Sequence, residues 1–262
     1  MDSRPIGIFD SGLGGLTAVN ALKASLPGES FVYVGDTDRV PYGERDADTL
    51  LTFSKEIVSL LIKKDVKAII VACGTISCNV IEDLRNCFSD LPIIDVVKPG
   101  IASCLNHAKK RVGVIATTTT INSGFFQSSI KEKNPDLELE VMACPLFVPL
   151  IEQGKSDSIV TARIVEAYLK TWQHNPIDTL VLGCTHYPLL TPHIQNTLAG
   201  TVLIDMSIAA VKETKKYLTE NNLINTTDKA YQSFYVSGDT KNFNRLAGQI
   251  MGTSVNAEKV YW

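Results

Sequence analysis

Short apolar runs rich in β-branched residues alternate along the whole chain with longer stretches of helical period. Strands are predicted at 6–9, 31–34, 68–72, 93–96, 112–116, 139–143, 179–182 and 202–204, with a last pair at 233–236 and near 255–260. Between them, 46–63, 156–173 and 207–220 repeat apolar residues at the spacing of one helix face. This alternation implies an α/β fold, with mainly parallel sheets flanked by helices. Ligands in such sheets bind beyond the carboxyl ends of the strands.

Lys98-Pro99-Gly100, just after the strand predicted at 93–96, cannot continue that strand and marks a break. A new strand–helix series starts at Arg111 and runs to about Asp205. The remainder, 206–262, is short for a domain alone and is assigned back to the first unit. Two α/β domains are therefore expected, 1–97 with 206–262 and 98–205, with the active site in the cleft between them.

Two of the predicted strands end on a cysteine followed by small hydroxyl-bearing residues. They are Ala68-Ile69-Ile70-Val71-Ala72-Cys73-Gly74-Thr75 and Thr179-Leu180-Val181-Leu182-Gly183-Cys184-Thr185-His186. A strand cysteine is usually an inert buried thiol. Two of them, each at a strand's carboxyl end and each on a different predicted domain, point instead to a pair of thiols facing one small ligand. A helix N-terminus after the cysteine favours thiolate over thiol, and His186 is placed to share the proton. A Cys-His pair also fits nucleophilic catalysis, although nothing else in the chain marks an acyl-enzyme machinery. The other cysteines (Cys78, Cys87, Cys104 and Cys144) read as ordinary core or surface residues.

The first strand runs into Asp10-Ser11-Gly12-Leu13-Gly14-Gly15-Leu16-Thr17. The glycines permit a tight turn with exposed amides. A dinucleotide fingerprint fails here, because the third glycine position is Thr17 and an acid, Asp10, opens the turn. Asp10 and Ser11 suggest a polar floor for a small zwitterion. In Gly35-Asp36-Thr37-Asp38-Arg39-Val40-Pro41-Tyr42-Gly43, Pro41 and Gly43 fix the backbone around Tyr42. The loop's amides and the Tyr42 hydroxyl are expected to meet a carboxylate. Glu152 is an acid within an apolar stretch.

Bulk properties narrow the classes. The chain has 262 residues, 45% of them hydrophobic and 20% charged, as in soluble globular proteins. A formal charge of -3 leaves no electrostatic footprint for nucleic acid. No apolar run reaches the ~18 residues of a membrane helix, and Met1-Asp2-Ser3-Arg4-Pro5 lacks the shape of a signal peptide. A cytoplasmic protein with no membrane or nucleic-acid partner is expected. Its cysteines should stay reduced. No His/Cys/Asp/Glu set has metal-ligand spacing, so no metal is expected.

Taken together, Asp10-Ser11-Gly12-Leu13-Gly14-Gly15, Pro41-Tyr42-Gly43, Cys73-Gly74-Thr75, Lys98-Pro99-Gly100, Cys144-Pro145-Leu146 and Gly183-Cys184-Thr185-His186-Tyr187-Pro188 resemble the glutamate racemase family, in order and over essentially the whole chain. The resemblance implies an isomerase without cofactor, expected as a homodimer, that supplies D-glutamate for peptidoglycan. It implies Cys73 and Cys184 as the two catalytic bases, tuned by Asp10, Glu152 and His186. It puts Asp10, Ser11, Pro41, Tyr42, Gly43, Gly74, Thr75, Thr117, Thr185 and His186 at substrate-contact positions, with Thr120 as a further candidate. The family usually has asparagine after the first cysteine, where this chain has Gly74. Two rivals share these features: a racemase of aspartate or another amino acid, and a non-catalytic amino-acid-binding protein.

Overall fold

The structure, a computed structural model, describes residues 2–227 and 230–262. Its strands are β1 (Ile6–Asp10), β2 (Phe31–Gly35), β3 (Ala68–Val71), β4 (Ile93–Asp95), β5 (Arg111–Ala116), β6 (Glu138–Ala143), β7 (Thr179–Leu182), β8 (Val202–Asp205), β9 (Gln232–Val236) and β10 (Ala257–Lys259). They form two sheets, ordered β10-β9-β2-β1-β3-β4 and β6-β5-β7-β8. Every pairing described is parallel. The α/β expectation therefore holds, and β9 and β10 extend the first sheet.

Parallel strands covered on both faces read as continuous apolar runs. The inner strands β1, β2, β3 and β7 do so and are buried along their whole length. The edge strands β6 and β8 are partly open to solvent. Within each sheet the chain starts in the middle, adds a strand on one side, then crosses to the other side of its first strand. The reversal falls between β1 and β3 in one sheet and between β5 and β7 in the other. Such switch points leave a crevice at the strands' carboxyl ends.

Helix starts follow capping chemistry. Asp46 accepts the Thr49 N–H at the start of Ala47–Lys63, whose Leu50, Ile57, Val58 and Leu61 are buried. The helix expected from 156 begins after Ser158, whose side chain accepts the Thr161 N–H. Lys98-Pro99-Gly100 ends the strand as expected, but it lies inside the first turn of a helix, Val97–His107. Pro99 costs nothing there, because N–H groups of a first turn have no intrahelical partner. Asp95 takes the neighbouring ones, from Val97 and Lys98, at 2.8 Å each.

Helices Val97–His107 and Met206–Glu220 carry the chain from one sheet to the other and back. One apolar cluster runs through them, joining Ile70 and Val96 of the first unit to Val114 and Val181 of the second. Separate clusters fill the outer faces: Ile57, Val58 and Leu61 on the first sheet, Val165, Leu169 and Trp172 on the second.

A buried ion pair closes the first sheet's amino end. Lys67 Nζ lies 2.6 Å from Glu29 Oε2 and donates to the carbonyls of Asp2 (2.8 Å) and Leu223 (2.7 Å). Both side chains are shut off from water. Lys67→Met strands a buried carboxylate and two carbonyls, and is expected to destabilise the fold by about 3–5 kcal/mol. Urea denaturation measures this as a lowered midpoint; a midpoint shift within error would show the pair to be dispensable.

Candidate active site

The crevices of the two sheets meet in one cavity. β1 contributes Asp10 and Ser11, β3 is followed by Cys73, Gly74 and Thr75, β5 by Thr117, and β7 by Cys184, Thr185 and His186. Pro41, Tyr42 and Gly43 close one side. Two of the residues implied by the resemblance, Glu152 and Thr120, do not line the cavity but touch residues that do: His186, and Thr75 and Thr117. Val40, Thr118, Pro145, Val148 and Pro149 also line it, unassigned from sequence. Val148 and Pro149 belong to the helix Phe147–Glu152, so the segment that carries the acid also supplies an apolar wall.

The two thiols sit in different surroundings. Cys73, in extended conformation, caps the helix Gly74–Asn79. Its Sγ lies 4.0 Å from Ser11 Oγ. Burial pushes its thiol well above the ordinary cysteine range, and the Asp10 carboxylate adds to the push; the Ile76 N–H opposes them. A helix N-terminus alone was expected to favour the thiolate here, and desolvation outweighs it. Cys184 is followed by a turn and the 3₁₀ segment Tyr187–Leu190, so no α-helix starts at this thiol. Its partner is His186, with Sγ and Nδ1 3.7 Å apart.

His186 is buried, and its Nε2 lies 2.6 Å from Glu152 Oε1. That carboxylate oxygen also accepts the Leu13 N–H at 2.8 Å. Burial alone would strip the imidazole of its proton. Its contacts with Cys184 and Glu152 outweigh burial and hold it well above the ordinary histidine range. Glu152 ends its helix and is fixed by the imidazole and the glycine turn.

The glycine turn is shaped by these neighbours. A Cβ on Gly14 would lie 2.3 Å from His186 Nδ1, and one on Gly12 would lie 2.2 Å from Glu152 Oε1. Gly12 and Gly15 also aim their N–H groups at Asp10 Oδ2, at 3.0 Å each, while the Thr185 hydroxyl reaches Oδ1 at 3.3 Å. Burial raises the Asp10 pKa, and His186 and the two amides moderate the rise. The glycines give room for an imidazole and a carboxylate from the other sheet, a role that local sequence does not display.

Tyr42 lines the cavity, but its hydroxyl faces the protein and donates to the buried Asp36 carboxylate. The phenol, buried beside that acid, is pushed up and stays a donor. The loop thus offers the cavity its backbone and not the hydroxyl expected from sequence. Thr75, Thr117 and Thr120 form a hydroxyl triangle with 3.2, 3.3 and 2.9 Å edges. Gly74 is also a close approach: a Cβ there would lie 2.6 Å from the Gly183 carbonyl oxygen. Any side chain at position 74 would require these two thiol-bearing loops to separate. Among the described residues, no three His, Cys, Asp or Glu side chains are grouped to hold a metal ion. Paired thiols at one cavity, hydroxyls and amides beside them, and a buried imidazole–carboxylate pair can exchange protons with a bound acid.

The family model for Asp/Glu/hydantoin racemases matches residues 17–214. The chain belongs to that family, among its glutamate racemases, and is an isomerase. It is 41% identical to glutamate racemase 2 of Caldanaerobacter subterraneus subsp. tengcongensis over 98% of its own length and 96% of that protein's. It is 38% identical to the Francisella tularensis glutamate racemase crystallised with D-glutamate, with a TM-score of 0.92 over 100% and 98% of the two chains. A Bacillus anthracis glutamate racemase isoform superposes with a TM-score of 0.94 at 30% identity, over 100% and 98%.

Gly14→Ala drives a methyl group into His186. We expect racemase turnover to fall about 10–100-fold, with a melting temperature close to that of the parent. Turnover assays and thermal unfolding, run side by side, check this. Undiminished turnover would show that the placement of His186 is unimportant.

Proposed function

We propose that the chain interconverts L- and D-glutamate by a two-base reaction between Cys73 and Cys184. One observation carries the reading: the two thiols hold equivalent places, each after the third strand of its sheet, and line one cavity. The relatives' glutamate racemase activity and the D-glutamate bound to the Francisella tularensis protein support glutamate as substrate. In this reading 1–97 with 206–262 and 98–205 form two domains, each supplying one thiol. The same resemblance supports a cytoplasmic homodimer that serves peptidoglycan synthesis.

Inversion at carbon requires a base on one face and an acid on the other. A thiolate removes the Cα proton and becomes a thiol; the opposite thiol delivers its proton and becomes a thiolate. The pair holds one proton before and after the reaction, and two while the negative charge rests at Cα. By family analogy Cys184 serves the L-isomer and Cys73 the D-isomer. The Thr75, Thr117 and Thr185 hydroxyls stabilise the charge that develops at Cα, and the 41–43 backbone holds a substrate carboxylate equally in the ground and transition states. Asp10 and Ser11 are left to meet the ammonium.

In deuterated water, each enantiomer of glutamate is expected to give product carrying deuterium at Cα, by mass spectrometry. No incorporation sinks the reading, and faster turnover of aspartate replaces its substrate. Cys73→Ser and Cys184→Ser should each lower racemisation by about 10²–10⁴-fold. Full activity in either ends the two-base assignment.

The surroundings of the two thiols support a resting proton on Cys73. Burial and the Asp10 carboxylate push the Cys73 thiol up, whereas Cys184 has the His186 imidazole at 3.7 Å. Enantiomers have equal free energy in water, so kcat/KM is equal in both directions at every pH and cannot reveal this bias. Alkylation can, because the thiolate is the nucleophile. Brief iodoacetamide treatment at neutral pH should modify Cys184 well before Cys73, with the exposed Cys87 as internal reference. Earlier modification of Cys73 would reverse the assignment.

A further inference from the structure

Behind the cavity, a buried carboxylate gathers donors from three parts of the chain. Asp36 follows β2 and is wholly buried. Its N–H donates to the Asp10 carbonyl at 3.0 Å. Oδ2 accepts the Tyr42 hydroxyl and, at 2.6 Å, Arg39 Nε. Oδ1 accepts the Ser237 hydroxyl at 2.7 Å and the Trp262 indole N–H at 2.8 Å. Arg39 is held between two rings, 3.8 Å from the Phe53 centroid and 4.8 Å from that of Trp262. Tyr42 packs on the same Phe53, centroids 5.6 Å apart. Trp262 is 41% exposed and so stands between this carboxylate and water.

We propose that Trp262 is a positioning residue for the loop 41–43. It fills the last acceptor site of Asp36 and presses Arg39 toward Phe53. Both contacts fix Tyr42, and Tyr42 fixes the backbone that walls the cavity. A buried carboxylate that loses a donor recruits water, and water at Asp36 competes with the Tyr42 hydroxyl. The consequence falls on binding, equally for both enantiomers, because the loop touches neither thiol's proton path. This inference rests on the reading of 41–43 as a substrate contact.

The test compares Trp262→Ala, Trp262→Phe and Tyr42→Phe. Trp262→Ala should raise KM for both L- and D-glutamate about tenfold, with kcat within about twofold. Trp262→Phe keeps the ring over Arg39 and loses the N–H, so its KM should fall between. The double variant Trp262→Ala/Tyr42→Phe should add nothing beyond the larger single effect, because both act through Asp36. An unchanged KM, or fully additive effects, would overturn the proposal, as would a lowered melting temperature with KM untouched. Amide hydrogen exchange supplies a readout independent of turnover. The segment 38–45, where the Arg45 N–H is bonded to the Tyr42 carbonyl, should exchange faster in Trp262→Ala than in the parent. Equal exchange defeats the positioning role even if the parent proves inactive on glutamate. Loss of the substrate reading alone would show as no Cα exchange in the parent.

Discussion

A buried, charged imidazole is the constraint around which this site is built. Removing His186 from water works against its proton, and only groups of opposite charge at contact distance reverse that. Glu152 supplies one at 2.6 Å and Cys184 stands at 3.7 Å. Each of these needs a place to be. Glu152 reaches the imidazole from the end of a short helix, and the Leu13 N–H of the glycine turn steadies it. The turn must then pass within touching distance of both side chains, which excludes a Cβ at Gly12 and Gly14. The glycines, the apolar helix around Glu152 and the strand-end thiol are thus parts of one arrangement spanning both sheets.

Topology makes the two thiols equivalent, and electrostatics makes them different. Both follow the third strand of a sheet that reverses direction beside its first strand. Cys73 meets a carboxylate, a hydroxyl and helix amides; Cys184 meets an imidazole. Equivalent placement suits a reaction whose two ends are mirror images. Different placement gives the two thiols different charges to face.

Much of this was legible in the sequence, and the remainder has a common physical cause. The inner strands appear within a residue or two of their predicted limits because fully buried parallel strands leave uninterrupted apolar runs. Cys73 and Cys184 stood out because those runs end on them. The expectation for Lys98-Pro99-Gly100 captured the end of a strand and missed the helix, since a first turn tolerates proline as readily as a loop does. The Tyr42 hydroxyl was expected at the cavity and is bound to Asp36, six residues away but across a turn whose path local pattern does not specify. The glycine turn looked like a nucleotide motif that failed; its neighbours, His186 and Glu152, lie more than a hundred residues onward. Such contacts carry no local periodicity.

The bias between the thiols also bears on what a substrate must do. Asp10 is one of the groups that push the Cys73 thiol up. On the proposed reading a bound amino acid brings an ammonium to the Asp10–Ser11 floor. A cation there cancels the carboxylate's field at Cys73 and lowers the free energy of its thiolate. Substrate thereby brings the two protonation states closer together. A racemase needs that levelling, because a base too weak on either face, or a thiol too reluctant to give up its proton, slows both directions equally. Gly74 fits the same logic from the steric side. With no Cβ, the loop carrying Cys73 comes against the Gly183 carbonyl beside Cys184. The two thiol-bearing loops are thus close enough that a side chain at position 74 would force them apart.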